Sequence, residues 1–294
     1  MPKIKKSGSL LIVLLIYLIS IAITAFLYEL IPVENSMWRI LVLDVIATIL
    51  VFSTSFIFRN SSIYDPYWSV IPMVIAGYLM YFFPEGNFIR QIMVFTIVFI
   101  WSNRLTANWA RGWEGLHRQD WRYDDLERKH GKLYWLVSFG GIHMLPTVLV
   151  FLGCLPLWYA MESTQVVGWL DYIALLIGVM AIFFEWVGDE QLKIFKKTAR
   201  SEDFMKSGLW SLSRHPNYFG EISFWLSVFL FGYSAAGNAA VWTVVGFLSM
   251  VILFVFISIP MMEERMIEKR PHYKEHQKDV PMLIPALSKI FRKG

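Results

Sequence analysis

Long stretches without a charged residue recur from one end of this 294-residue chain to the other, and they leave few ways for it to fold. A helix needs roughly 20 mostly apolar residues to cross the hydrocarbon core of a bilayer. Runs that approach or exceed this length lie at 10–28, 37–58, 67–83, 88–109, 135–158, 168–192, 217–234 and 239–262. With 56% apolar residues and a mean hydropathy of +0.49, the chain departs strongly from soluble composition. The expected fold is all-α: a polytopic helical membrane protein with about eight transmembrane helices and both termini cytoplasmic.

The basic residues fix the orientation. If the two termini share the cytoplasmic side, 25 of the 27 Lys and Arg lie in inner segments, and only Arg39 and Arg90 fall outside. A bias of that kind orients membrane proteins. The net charge of +4 then reflects topology, and nucleic acid is not an expected partner. Lys3, Lys5 and Lys6 precede the first apolar run as in a signal peptide. That run is long and has no clean small-x-small cleavage site, so an uncleaved first helix is expected. The expected location is an integral, multi-pass protein of the inner or plasma membrane. Cys154, the single cysteine, excludes an intramolecular disulfide and reads as a small apolar filler.

Polar residues concentrate on the inner side. The run Gly208-Leu209-Trp210-Ser211-Leu212-Ser213-Arg214-His215-Pro216-Asn217-Tyr218-Phe219-Gly220-Glu221 leads into an apolar segment. Pro216 suits a first helical turn, so a helix is expected to begin there, with Arg214 and His215 just outside. Asn217 and Glu221 then share one face, and a carboxylate one turn inside an apolar helix marks a site. The plainer alternative is a juxtamembrane loop whose Arg and His meet lipid head groups. Glu185, Asp189, Lys193 and Lys196 climb one helix face, either as a site or as a self-paired ladder. Asp44 lies inside a span with no partner nearby in sequence, and His143 reads as a packed, hydrogen-bonded histidine. The inner segment from Arg111 to Lys132 interleaves Trp113, Trp121 and Tyr123 with charges of both signs, as at a membrane interface. No Gly-x-Gly-x-x-Gly, P-loop, nucleophile elbow or His-Glu-x-x-His is present, so neither a soluble-type nucleotide fold nor a metal centre is expected. An anionic cofactor would have to be held by Arg and Lys side chains and helix N-termini.

Leu209-Trp210-x-x-Ser213-Arg214-His215-Pro216-Asn217-Tyr218-x-Gly220-Glu221 resembles the cofactor motif of the membrane steroid 5α-reductase and sterol reductase superfamily, closest to its largely bacterial branch. The likeness covers most of the chain after about residue 60, dividing it into an N-terminal helix pair (1–60) and a reductase-like transmembrane domain (61–294). Tyr64-Asp65-Pro66-Tyr67-Trp68 looks like the segment that carries a catalytic acid, with Asp65 in place of Glu. Arg104 looks like the fourth-span arginine, and Glu185, Asp189, Lys193 and Lys196 like the ladder that grips NADPH. Trp101 stands where the steroid enzymes have a tyrosine, and Glu185 replaces an asparagine.

The resemblance implies NADPH-dependent reduction of a conjugated carbon–carbon double bond in an apolar substrate that is steroid-, isoprenoid- or lipid-like and enters from the bilayer. Asp65 would donate a proton, with Tyr64 or Tyr67 as substitutes. Arg104, Lys193, Lys196 and Arg214 would meet the cofactor's phosphates. Asp189, Asn217 and Glu221 would hold its amide or ribose hydroxyls, with Trp210, His215 and Tyr218 completing the site. A rival resemblance is to S-adenosylmethionine-dependent membrane methyltransferases of the isoprenylcysteine or phospholipid type. Those proteins also carry Arg-His-Pro-x-Tyr followed by paired glutamates, here Glu263-Glu264. A third reading is a transporter or lipid-binding protein that binds neither cofactor.

Overall fold

The computed structural model describes residues 4–286, and every regular element among them is helical. Lys3, Lys289, Arg292 and Lys293 lie outside the described residues. The chain begins with α1 (Lys6–Leu27), α2 (Ser36–Phe58), α3 (Tyr67–Phe82) and α4 (Phe88–Gly112). A ten-residue helix, α5 (Trp121–His130), occupies the expected interfacial segment. Next, α6 (Tyr134–Val137) passes through a π-helical turn, Ser138–Met144, into α7 (Leu145–Glu162). Then come α8 (Trp169–Lys196), α9 (Pro216–Ala236) and α10 (Val244–Ile252). A second π-helical turn, Leu253–Ser258, leads into α11 (Ile259–Lys269), and α12 (Tyr273–Asp279) follows.

Helix occupies all eight expected spans, and among the described residues six continuous stretches are long and apolar enough to cross a membrane. The chain is an all-α polytopic membrane protein. Two features separate six from eight. α3 has only 16 residues. The last stretch, Pro216–Lys269, joins two expected spans, but Gly237 at φ 55 and the tight turn after it reverse the chain, so α10 packs back on α9.

Hydrogen bonds at the two ends show the helices alternating in direction. At one end Asn60 donates to Leu116 O at 3.0 Å, Lys6 to Arg111 O at 2.8 Å, and Arg214 to Val280 O at 2.6 Å. At the other, Gln91 donates to Met161 O at 2.8 Å and Ser163 to Ala235 O at 3.0 Å. Arg39 and Arg90, the two basic residues expected apart from the rest, both lie at this second end. There Arg39 donates to Val33 O, and Arg90 forms a buried pair with Asp171 at 2.8 Å.

One apolar core runs from Val13 and Tyr17 of α1 through α2, α3, α4, α7 and α8 to Phe231 of α9 and Met250 of α10. In its middle Trp101 is fully buried, stacked on Phe224 with centroids 4.1 Å apart. Close helix approach needs small residues at contacts. A Cβ on Gly246 would lie 2.1 Å from Leu152 O, so α10 meets α7 backbone to backbone.

Candidate functional site

α9 starts at Pro216, as its fixed φ and missing N–H favour. One turn in, Gly220 lets α8 and α9 touch: a Cβ there would lie 2.5 Å from Glu185 Cγ and 2.6 Å from Ala181 O. That contact sets Glu185 and Glu221, both buried, beside α4. Arg104 of α4 pairs with Glu185 and, at 2.9 Å, with Asp189. Asp189 also accepts from Asn108 at 2.9 Å and from Asn217 at 3.1 Å. Glu221 accepts from the indoles of Trp101 and Trp225, each at 3.1 Å. Trp101, in the position of the expected tyrosine, therefore holds a carboxylate by its N–H.

One guanidinium faces three carboxylates at this junction. Buried ionic groups are costly unless paired and hydrogen-bonded. Among the described residues, Arg104 Nε and Glu185 Oε1 have no partner. The inner part of the junction therefore suits a ligand rich in hydroxyl or amide donors, not a phosphate. Cations appear further out on the same helix. Side-chain exposure rises from 1% at Glu185 through 16% at Asp189 to 44% at Lys193, and Lys196 is exposed. At 1.5 Å per residue, Glu185 to Lys196 covers about 16 Å. Trp210 fixes the following loop against this helix by donating to Gly188 O at 3.0 Å.

Arg214 and His215 turn away from Arg104. Arg214 donates to Glu263 through Nε at 2.7 Å and Nη2 at 3.3 Å, and through Nη1 to the carbonyls of Gln277 and Val280. His215 Nε2 lies 2.9 Å from the same glutamate, and Gln277 donates to it at 2.6 Å. Every nitrogen of the Arg214 guanidinium is thus engaged in clamping α11, through Glu263, and the segment after it onto the start of α9. Tyr218 stacks on His215 with centroids 5.5 Å apart and packs on Phe254 of the second π-helical turn. Glu263 was not among the cofactor candidates. Its only signal in the sequence was the Glu263-Glu264 pair of the methyltransferase pattern.

Asp65 lies in the short connection between α2 and α3 and accepts from the Tyr123 hydroxyl of α5. Burial pushes its carboxyl up to about 6, although Arg122 and the Tyr123 hydrogen bond pull it back. Tyr64 and Tyr67, its expected substitutes, face other groups: Tyr64 Oη is 2.7 Å from Thr147 Oγ1, and Tyr67 donates to Asp44 Oδ1 at 2.7 Å. Tyr123 is the hydroxyl coupled to Asp65, and α5, its helix, was not foreseen as a helix. A polar cavity of about 430 Å³ opens beside Asp65, Asp120 and Asp124. The indole N–H groups of Trp109 and Trp113, which also line it, have no partner among the described residues. Tyr218 lies within electrostatic reach of Arg122 and Asp120 of this cluster and of Asp189 and Glu221 of the other. Among the described residues, no group of His, Cys, Asp or Glu is arranged to hold a metal ion.

The profile of a family described as "Protein of unknown function (DUF1295)" matches residues 51–280. The chain is also similar to "Uncharacterized protein C594.04c" of Schizosaccharomyces pombe, with 26% identity over 254 residues, covering 78% of this chain and 74% of that protein. No solved structure matches.

Proposed function

The chain belongs to the family described as protein of unknown function DUF1295, and from that premise we propose that it is an NADPH-dependent membrane oxidoreductase, akin to the steroid 5α-reductase-like proteins, that reduces a conjugated C=C bond of an apolar substrate. The observation that carries this reading is the polarity gradient along α8. Carboxylates and amides gather at the buried end, and two exposed cations stand at the other: Lys193, paired with Glu190 at 3.5 Å, and Lys196. A dinucleotide fits that order, with hydroxyls and a carboxamide at one end and phosphates at the other. Among the described residues, Arg104 Nε and Glu185 Oε1 have no partner and leave bonding capacity for it. Four residues that the resemblance draws from three stretches, Arg104, Asp189, and Asn217 with Glu221, converge beside it.

When bound, NADPH supplies a hydride to the β-carbon of the substrate's enone. Asp189, Asn217 and Asn108 would hold ribose or carboxamide groups, while Lys193 and Lys196 would meet phosphate. Arg104, already paired twice, orients the acids and contributes little to phosphate binding. Asp65 delivers a proton toward the carbonyl oxygen, on which negative charge builds during the reaction. Its raised pKa keeps part of it protonated near neutral pH. Tyr123 orients that carboxyl by donating its hydroxyl to it. The protein would sit in an inner or plasma membrane and take its substrate from the lipid.

One observation favours a second reading. Arg214 and His215 both engage Glu263, joining the Arg-His-Pro motif to the later glutamate, as a methyltransferase pattern requires. The acid excess around Arg104 also suits a cationic cofactor. Equilibrium binding of NADPH and of S-adenosylmethionine to the purified protein separates the two. The reductase reading predicts saturable NADPH binding that weakens with salt; saturable binding of S-adenosylmethionine alone overturns it.

A further inference from the structure

The N-terminal helices enclose a second cavity that the proposed reaction does not use. It measures about 300 Å³ and lies between α1, α2 and α3, with Ile21, Leu43, Ile71, Val74 and Ile75 in its walls. That volume is at the lower end of the range for small-molecule sites. A tyrosine pair stands at each end: Tyr17 and Tyr67 with ring centroids 5.9 Å apart, and Tyr28 and Tyr78 at 5.3 Å. Ile21, Val74 and Tyr78 are only partly buried, so the cavity opens laterally between α1 and α3. The hydroxyls of Ser20 and Thr24 in its wall are tied to carbonyls of their own helix.

Asp44 is the exception. It lines the cavity and is 5% exposed. Its Oδ1 accepts from Tyr67 at 2.7 Å, whereas Oδ2 is sealed from water and has no partner among the described residues. A buried carboxyl oxygen without a partner is expensive, and in a membrane protein such a residue marks a site. A bare acyl chain would fill the cavity and leave Oδ2 unsatisfied. A hydroxyl satisfies it in either protonation state, donating to the carboxylate or accepting from the acid. The aspartate's χ2 is a broad torsion, so a modest turn presents Oδ2 to the cavity.

We propose that the pocket between α1, α2 and α3 binds the hydroxyl end of a membrane-soluble alcohol, with Asp44 as its hydrogen-bond partner and the apolar walls holding the chain. The site depends on α1 and on residues of α2 before residue 51, and so lies partly outside the matched span 51–280. It does not rest on the proposed reductase activity.

The full-length protein in phosphatidylcholine nanodiscs would be photolabelled with a diazirine derivative of 1-dodecanol and the labelled peptides mapped by mass spectrometry. Labelling is expected on α1 and α3, displaced by 1-dodecanol but not by dodecane. Asp44→Leu should reduce it about tenfold or more, the loss of one hydrogen bond to a carboxyl group. Asp44→Asn, which keeps a donor and an acceptor, should retain it. Val74→Trp, which fills the cavity without touching Asp44, should abolish it and decides the matter if Asp44→Leu does not fold. Displacement by dodecane as effective as by dodecanol, or full labelling of either Asp44→Leu or Val74→Trp, overturns the proposal.

Discussion

Tyr123→Phe should move the titration of Asp65 upward. In the wild type, burial holds this carboxyl at about 6 against a reference of 3.8, even though the Tyr123 hydroxyl and the Arg122 charge favour the ionised form. Removing the hydroxyl takes away a hydrogen bond to a charged group, worth about 1.5–3 kcal/mol. At about 1.4 kcal/mol per pKa unit, the carboxyl should rise by roughly one to two units. The direction follows from which protonation state the bond stabilises. A group that donates to the carboxylate lowers its pKa, so its loss raises it. The assay is infrared difference spectroscopy of the protonated-carboxyl band as pH is stepped, with Asp65→Asn identifying the band that belongs to Asp65. Wild type should lose it as pH passes about 6, and Tyr123→Phe should lose it between roughly 7 and 8. If Asp65 is the proton donor, turnover in the wild type should fall about tenfold per pH unit above 6, and the variant's profile should shift with the band. Asp65 contributes its full stability below about 3.8, and that contribution is lost as pH rises through about 6. A band that moves down in Tyr123→Phe, or no band near 6 that Asp65→Asn removes, refutes the coupling.

Three further outcomes follow from other contacts. Arg90→Leu leaves the fully buried Asp171 without its cation and should lower stability by about 3–5 kcal/mol, measured as a fall in thermal midpoint, whereas Arg90→Leu with Asp171→Leu should recover much of it. Arg214→Ala removes the clamp on Glu263 and two carbonyls, so it should release the segment around Gln277–Val280, seen as faster amide exchange there, with NADPH affinity changed less than threefold. Lys193→Glu with Lys196→Glu should weaken NADPH binding about tenfold or more in low salt and leave S-adenosylmethionine binding nearly unchanged, as paired titrations would read.

Helix positions and alternating direction were legible because lipid imposes a length and a basic bias that the sequence carries openly. Pro216 announced the start of α9, and the spacing of Asn217 and Glu221 announced a shared polar face. Contacts between distant stretches were not legible. Arg104 lies 81 residues before Glu185 in the sequence, and only the close approach at Gly220 brings the acids of α8 and α9 to it. Arg214 reads as a phosphate ligand until Glu263 and the chain after α11 are folded onto it. Asp44 had no partner within a turn because its partner, Tyr67, is on another helix. Tyr123 was hidden because Trp121-Arg122-Tyr123 also fits a segment that merely rests on the membrane surface.

The central claim is a hydride path from a dinucleotide beside α8 to a substrate near Asp65. NADPH deuterated on its transferable position, incubated with the purified protein and a panel of apolar enones, tests it most directly by mass spectrometry of the products. The account predicts a saturated product carrying one deuterium at the β-carbon, formed far more slowly by Asp65→Asn. Unlabelled products throughout, together with methyl transfer from S-adenosylmethionine to a lipid acceptor, would contradict it.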